Sequence, residues 1–201
     1  GLRLTHLENP ATRANATERI IQLAAINLHR GRRILIGFDF PFGFPAGTAR
    51  ALGKRGLPWR NLWQELDDRL VDHDDNRNNR FDVAEGLNAA LSGEPFPFWG
   101  LSREEVRPFL VRRNRRPHGE GDLAERRLCD IRIPSTQPVW KLAGAGSVGS
   151  QVITGIPRVW QIRRDPRIAF DCHIWPFETG LRCDDRAAIV LAEVYPSLVP
   201  P

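Results

Sequence analysis

The stretch that most clearly indicates the fold of this 201-residue chain is Arg32-Arg33-Ile34-Leu35-Ile36-Gly37-Phe38-Asp39-Phe40-Pro41-Phe42-Gly43-Phe44-Pro45. A short apolar run ends in an aspartate and then breaks at Pro41. Every second residue from Ile34 falls on one face of a strand, and Asp39 falls on the other. We predict that the strand is buried, where a charge such as that of Asp39 is costly unless it is paired or bound to a metal. The simpler alternative is that Asp39 only caps the turn at Pro41.

The segments on either side of this strand predict an α/β fold. Asn9 and Pro10 are typical of a helix start, and apolar residues then recur at helical spacing as far as Arg30. Two further apolar runs, at 170–178 and 187–195, are typical of buried strands in a mixed or parallel sheet. A helix that leads directly into a buried strand favours layers of helix packed on sheet.

The region from about 46 to 150 differs in pattern and predicts a largely helical and loop insertion within a single domain. Short helices are predicted at 62–70, from about 76 to 93, and at 123–128. After this region, 151–164 has helical character, but Gly155 and Pro157 are expected to interrupt it.

Composition and charge limit the classes of function. The chain carries 29 Lys and Arg against 24 Asp and Glu, a net charge of +5, which permits an anionic partner such as nucleic acid or another phosphate-bearing ligand. Only two of the basic residues are lysines, and an arginine bias of this kind also arises from a GC-rich genome. Three cysteines without close spacing favour a reducing, cytoplasmic location, and no apolar run is long enough to indicate a membrane partner.

The densest basic cluster is a candidate for phosphate or nucleic-acid binding. Its residues are Arg112, Arg113, Arg115 and Arg116. Guanidinium groups are well suited to phosphate oxygens. The alternative is a solvated loop that precedes Gly119 and contacts no ligand.

A glycine-rich turn is a second candidate for anion binding. Gly144, Gly146 and Gly149 match the G-x-G-x-x-G pattern. A dinucleotide site also needs a strand before this pattern and an acid about 20 residues after it. Neither is convincing in this sequence, so we expect a glycine turn that opens a helix and holds an anion on its free N–H groups.

Three carboxylates lie near prolines at the ends of predicted strands. They are Asp39, Glu178 and Glu193. If these ends are neighbours, the carboxylates form a site of hard oxygen ligands for Mg²⁺ or Mn²⁺, with Asp39 and Glu193 as metal ligands and Glu178 as an accessory ligand or base. Such a site activates water and stabilises charge at a phosphorus atom. The alternative is that Glu178 and Glu193 pair with arginines at the rim of the sheet.

The segments 37–45 and 192–196 resemble a poorly characterised bacterial family whose members are described as predicted nucleases with an RNase-H-like fold. A proteobacterial subset, some of which carries a cobalamin-biosynthesis label, is similar to this chain over nearly its whole length. The shared segments include 8–13, 144–151 and 175–180.

The resemblance implies a mixed sheet flanked by helices, with Asp39 on a central strand and Glu193 on a later one. It also implies an earlier strand with a first catalytic aspartate and a C-terminal helix with a further acid. Residues 1–201 are then expected to form a single RNase-H-like domain that lacks both of these elements.

Three hypotheses for function follow. The first is a divalent-metal-dependent nuclease or related phosphoryl hydrolase that uses the carboxylate set. The second is a binding or regulatory module without catalysis, which an Asp39 held by arginine would favour. The third is an accessory factor in cofactor metabolism that holds a phosphate at the glycine turn.

Overall fold

The described part of the chain contains three short strands and six helices. The computed structural model describes residues 3–101, 105–133, 135–182 and 187–196. In chain order the elements are α1 (Arg13–His29), β1 (Ile34–Phe38), α2 (Thr48–Ala51), α3 (Pro58–Arg69), α4 (Arg80–Leu91), α5 (Leu128–Ile131), α6 (Val148–Arg164), β2 (Cys172–Trp175) and β3 (Ile189–Glu193). Helices and a parallel sheet in one core confirm the predicted α/β class.

The three described strands form a parallel sheet in the order β1-β3-β2. The expectation of a mixed sheet is therefore not met within the described residues. Since β3 has a neighbour on each side, it is the central strand of the three described, and β1 lies at one edge of them. Within the described residues, β1 is therefore not the central strand that the resemblance implies.

The sheet is covered on one face by the long helices. α1 packs on β1, and α6 packs on β2. Ile34, Ile36 and Phe38 of β1 face this core. On the opposite face, Leu35 is 70% exposed, because no described element packs over it. The predicted burial of β1 thus holds for one face and fails for the other.

The first helix begins later than its sequence indicated. Its N-cap is Thr12, whose hydroxyl accepts a hydrogen bond from the Asn15 N–H at 3.2 Å. This bond satisfies one of the donors that a helix start leaves free. Asn9 and Pro10 lie before the helix, so the predicted start was wrong. The helix ends at His29, close to the predicted Arg30, and Gly31 just beyond it adopts a left-handed φ of 65°.

The region between β1 and α6 packs against α6 through α3 and α4. Trp63 and Trp140 from this region are fully buried in the same core as the sheet. The helix predicted at 123–128 is absent from the described structure, and α5 begins only at Leu128. The carbonyl of Ala124, which a helix would use internally, instead accepts from the Trp140 indole at 3.0 Å.

The last helix, α6, runs without a break through Gly155 and Pro157, so the predicted interruption was wrong. A Cβ at Gly155 would lie 2.5 Å from the ring of Phe40. Glycine is therefore needed where the chain after β1 packs on this helix. Pro157 is buried in the helix interior, where tertiary packing outweighs its unfavourable helix propensity.

None of the helices in the described part of the chain combines the length and the apolar character needed to cross a membrane.

We predict that Gly149→Ala destabilises the fold by about 1–3 kcal/mol, because rigid backbone cannot move away from the new methyl group. A Cβ at Gly149 would lie 2.5 Å from the carbonyl oxygen of Val139 and 2.7 Å from that of Lys141. Urea unfolding followed by circular dichroism measures the change. A matched control is Gly86→Ala in α4, where the new Cβ meets only the end of the flexible Arg69 side chain. This control should be neutral or stabilising by up to about 1 kcal/mol, and equal losses in both variants would contradict the prediction.

Asp72 joins the first and last long helices through two arginines. Arg13 of α1 donates to its carboxylate from Nε at 3.0 Å, and Arg158 of α6 donates from Nη2 at 2.7 Å. The Asp72 side chain is only 5% exposed. Burial alone would raise the pKa of Asp72, but the hydrogen bonds from Arg13 and Arg158 outweigh it and lower the pKa below the ordinary value.

We predict that Asp72→Asn lowers the free energy of unfolding at pH 7 by about 2–3 kcal/mol, since it leaves two partly buried arginines without their shared carboxylate. The exposed Asp74→Asn serves as the control and should change it by less than about 0.5 kcal/mol. Because the folded-state pKa of Asp72 lies below its value of 3.8 in the unfolded chain, the stabilisation is complete above that pH and is lost as the pH falls below it. Denaturant titrations from pH 7 to pH 3 should show that the difference in free energy of unfolding between wild type and Asp72→Asn narrows below pH 3.8. A difference that stays constant over this range would contradict the assignment.

Candidate functional site

A pocket lies at the carboxyl ends of the two neighbouring strands β1 and β3. The parallel register pairs Phe38 with Glu193, so Asp39, which follows β1, and Glu193, which ends β3, meet at one edge of the sheet. The pocket has a volume of about 180 Å³. Its polar lining includes Asp39, Arg127, Asp130, Ser135, Thr136, Gln137, Glu193 and Tyr195. The structure thus brings together two of the three predicted carboxylates.

The loop after β1 is held in place at this edge by backbone hydrogen bonds and aromatic packing. The Phe42 N–H donates to Glu193 Oε2 at 2.9 Å, and the Trp63 indole donates to the Phe42 carbonyl at 2.8 Å. The ring of Phe40 contacts the rings of Phe38 and Phe42 at centroid distances of 5.9 and 5.7 Å. Because both the N–H and the carbonyl of Phe42 are hydrogen-bonded, the loop is anchored three residues after Asp39.

Arg127 is the central cation of the pocket. It donates to the two oxygens of Glu193 at 2.6 and 2.8 Å. It also donates to the two oxygens of Asp130 at 2.7 and 2.8 Å. Its side chain is 12% exposed and that of Asp130 is 4% exposed. Burial alone would lower the pKa of Arg127, but the hydrogen bonds to Glu193 and Asp130 raise it above the ordinary value, so the guanidinium stays charged.

Asp39 is exposed, which corrects the prediction of a buried carboxylate. In the described part of the chain no hydrogen bond or ion pair engages it, and it lines the same pocket as Arg127 and Glu193. Because it faces water, Asp39 carries no desolvation penalty that would demand a partner. The arginine contact to Asp39 that would favour a non-catalytic module is absent from the described residues.

Glu178 lies away from the described lining of this pocket. Its carboxylate accepts from Arg163 of α6 at 2.7 and 3.0 Å and from the Ile174 N–H at 2.8 Å. The last bond satisfies a backbone donor of β2, which lies at the edge of the described sheet. These contacts suit a structural role, so the predicted catalytic role of Glu178 has no support from this geometry.

The predicted phosphate-binding arginines are partly engaged by acidic side chains. Arg116 donates to Asp122 at 2.6 and 3.0 Å and to Glu94 at 2.7 Å. Arg115 forms an ion pair with Glu125. Arg112 and Arg113 are exposed, and their binding of phosphate stays a prediction.

The glycine turn opens α6 as expected, and the helix begins at Val148, which also lines the pocket. The Gly149 N–H donates to the Lys141 carbonyl at 2.9 Å. A Cβ at Gly146 would lie 2.7 Å from the Gln137 side chain, and Gly144 has a left-handed φ of 86°. Packing and backbone conformation therefore account for these glycines, and anion binding at the turn stays a prediction.

Arg127 and Asp130 are the site residues that the sequence interpretation missed. They lie three residues apart at the start of α5, and the Asp130 carboxylate also accepts from the Arg127 backbone N–H at 3.2 Å. An acid at the third helical position is one half of a capping box, but arginine is not a preferred N-cap residue, so the sequence gives little indication of this helix start. The contact of Arg127 with Glu193, far along the chain, leaves no local signal.

Three carboxylates among the described lining residues offer oxygen ligands in this pocket. Carboxylate oxygens are ligands that Mg²⁺ and Mn²⁺ accept readily. Among the described residues no three Asp, Glu, His or Cys side chains lie close enough to form a complete metal group. This is compatible with Mg²⁺, which commonly uses one or two carboxylates and takes its other ligands from water and substrate phosphate.

Comparison of the chain with protein-family models, with curated proteins and with solved structures finds no match in any of the three.

Proposed function

We propose that this chain is a divalent-metal-dependent phosphoryl hydrolase, with nucleic-acid phosphodiesters as its substrate class. The observation that carries the proposal is that Asp39 and Glu193 end neighbouring parallel strands and line one pocket, while Asp39 has no ion pair in the described structure. An exposed carboxylate held on a fixed loop is available to a ligand. An RNase-H-like arrangement of the sheet is part of the proposal, and the acids at the carboxyl ends of adjacent strands support it.

The charge of the pocket supports the choice of a divalent cation. Three carboxylates and one guanidinium from the described residues line it, so two negative charges remain uncompensated. Asp39 and Glu193 would hold Mg²⁺ or Mn²⁺ there. When bound, such an ion supplies an activated water and stabilises negative charge on a phosphoryl group.

The protein residues orient the site. The Phe42 N–H holds Oε2 of Glu193 in place, and without a ligand Arg127 also donates to both oxygens of this carboxylate. Asp39 keeps its position because Phe40 packs on Gly155 and Phe42 is bonded at both its N–H and its carbonyl. Fixed ligands lower the reorganisation that a reaction requires.

A second candidate function is a non-catalytic binding module. It is favoured by the contacts of Arg127 with both Glu193 and Asp130, which leave Asp39 as the one pocket carboxylate without an ion-pair partner in the described structure. Such a module would bind a ligand at the pocket without cleaving it.

We predict that the chain cleaves single-stranded DNA, RNA, an RNA–DNA hybrid or a chromogenic phosphodiester in the presence of Mn²⁺, and that Asp39→Asn lowers the rate at least about 100-fold. The physical reason is that asparagine keeps the size of the aspartate side chain but lacks its negative charge, so a charged oxygen ligand is lost. Gel and absorbance assays measure the rates.

The control for cleavage is Asp74→Asn, the same chemical change on an exposed acid outside the pocket. It should keep the wild-type rate. Equal rates for wild type and Asp39→Asn, or no cleavage of any substrate by the wild-type chain, would overturn the hydrolase proposal. If the wild-type chain cleaves no substrate but binds a ligand in a way that depends on Asp39, the result would support the binding module.

A further inference from the structure

Arg127 binds two carboxylates through its guanidinium, a group that also binds phosphate. Its guanidinium makes paired hydrogen bonds with both Glu193 and Asp130, at 2.6 to 2.8 Å. A guanidinium presents the same planar arrangement of donors to a carboxylate and to a phosphate. One of its two present partners can therefore be exchanged for a phosphate without a change in the type of contact.

The two carboxylates differ in how firmly Arg127 is tied to them. Asp130 is on the same helix start, three residues away, and is 4% exposed on its side chain. Glu193 comes from a different part of the chain, and its side chain is 31% exposed. Glu193 also keeps a second donor, the Phe42 N–H at 2.9 Å. Glu193 is therefore the partner that Arg127 can release, because it retains one hydrogen bond and access to water.

The pocket has further polar groups where a phosphate would meet Arg127. The Tyr195 hydroxyl donates to Ser135 Oγ at 2.9 Å, which leaves the Ser135 hydroxyl hydrogen available to an acceptor. Both side chains line the pocket of about 180 Å³. The pocket that Arg127 lines therefore also offers a hydroxyl donor.

The charge of the pocket makes the phosphate dependent on a cation. With two uncompensated negative charges among its described lining residues, the empty pocket repels an anion. A divalent cation at Asp39 removes that repulsion. In return, a phosphate that takes Arg127 frees Glu193 to serve as a cation ligand. Each ligand therefore strengthens the binding of the other, and thermodynamic linkage requires the two effects to be equal.

We infer that Arg127 is the phosphate-binding residue of this pocket, and that it exchanges Glu193 for a phosphate group when a divalent cation binds at Asp39. This inference rests on the proposed function, since it assigns a role within the same site. It defines the ligand as a phosphate group bound together with a divalent cation, rather than either ion alone.

The test measures the Kd of Mn²⁺ for the intact chain by electron paramagnetic resonance of free Mn²⁺, at increasing concentrations of two probes. Inorganic phosphate represents the free anion, and a dinucleotide represents a phosphodiester of nucleic acid. Blanks without protein correct for complexes of Mn²⁺ with the probes. In the wild-type protein we expect at least one probe to lower the Kd by about fivefold or more, and the probe that does so identifies the source of the phosphate.

Variants at Arg127 identify the group that couples the two ligands. In Arg127→Met, Mn²⁺ binding should persist or tighten, because the pocket loses its positive charge, while the effect of the probe should fall below about twofold. Arg127→Lys keeps the charge without the planar fork and should retain part of the coupling. The exposed Arg55→Met, outside the pocket, should behave as wild type. Thermal melts confirm folding, and if Arg127→Met does not fold, Arg127→Lys and the wild-type coupling decide the outcome.

The failure of this inference is distinct from that of the proposed function. Mn²⁺ binding that depends on Asp39 but is unchanged by both probes, or full coupling in the folded Arg127→Met variant, would overturn the role of Arg127 and leave the hydrolase proposal standing. Mn²⁺ binding that is absent, or equal in wild type and Asp39→Asn, would overturn both.

Discussion

The hydrogen-bonded register between β1 and β3 determines which side chains meet at the carboxyl edge of the sheet. It pairs Phe38 with Glu193, so the last residue of the central strand lies beside the residue that precedes Asp39. Side chains alternate between the faces of a strand, and a slip of one residue would turn Glu193 to the open face of the sheet. The core prevents such a slip because Ile189 and Leu191, on the same face as Glu193, are fully buried. The packing of apolar residues thus fixes the position of a charged one.

Glu193 in turn connects three parts of the chain that are distant in sequence. Its carboxylate accepts from Phe42 in the loop after β1 and from Arg127 in the region between β1 and α6. Removal of this carboxylate would leave the largely buried guanidinium of Arg127 with one acid instead of two, and a buried charge without sufficient partners is costly. The same contacts that stabilise the junction of these segments therefore shape the pocket, which couples the fold to the proposed chemistry.

The sequence predicted the α/β class, because apolar runs and the prolines that end them are local signals. It failed where the outcome depends on what packs nearby. The exposure of Asp39 could not be predicted, since it depends on which elements cover the far face of β1. The partner of Arg127 lies 66 residues away, and no local pattern indicates such a contact. Helix boundaries at Thr12 and Leu128 were missed because a hydroxyl cap and an indole bond, respectively, compete with the helical pattern.

Three acids with similar sequence surroundings thus have different electrostatic environments, and the number of nearby cations distinguishes them. Glu178 has Arg163 as a partner and also satisfies a backbone N–H of β2. Glu193 shares Arg127 with Asp130, so one positive charge serves two negative ones. Asp39 has no cationic partner in the described structure. Uncompensated negative charge therefore accumulates at the pocket and not at Glu178. A site with excess negative charge, fixed oxygen ligands and one exchangeable arginine is suited to bind a cation and an anion together, because each compensates the charge that would repel the other.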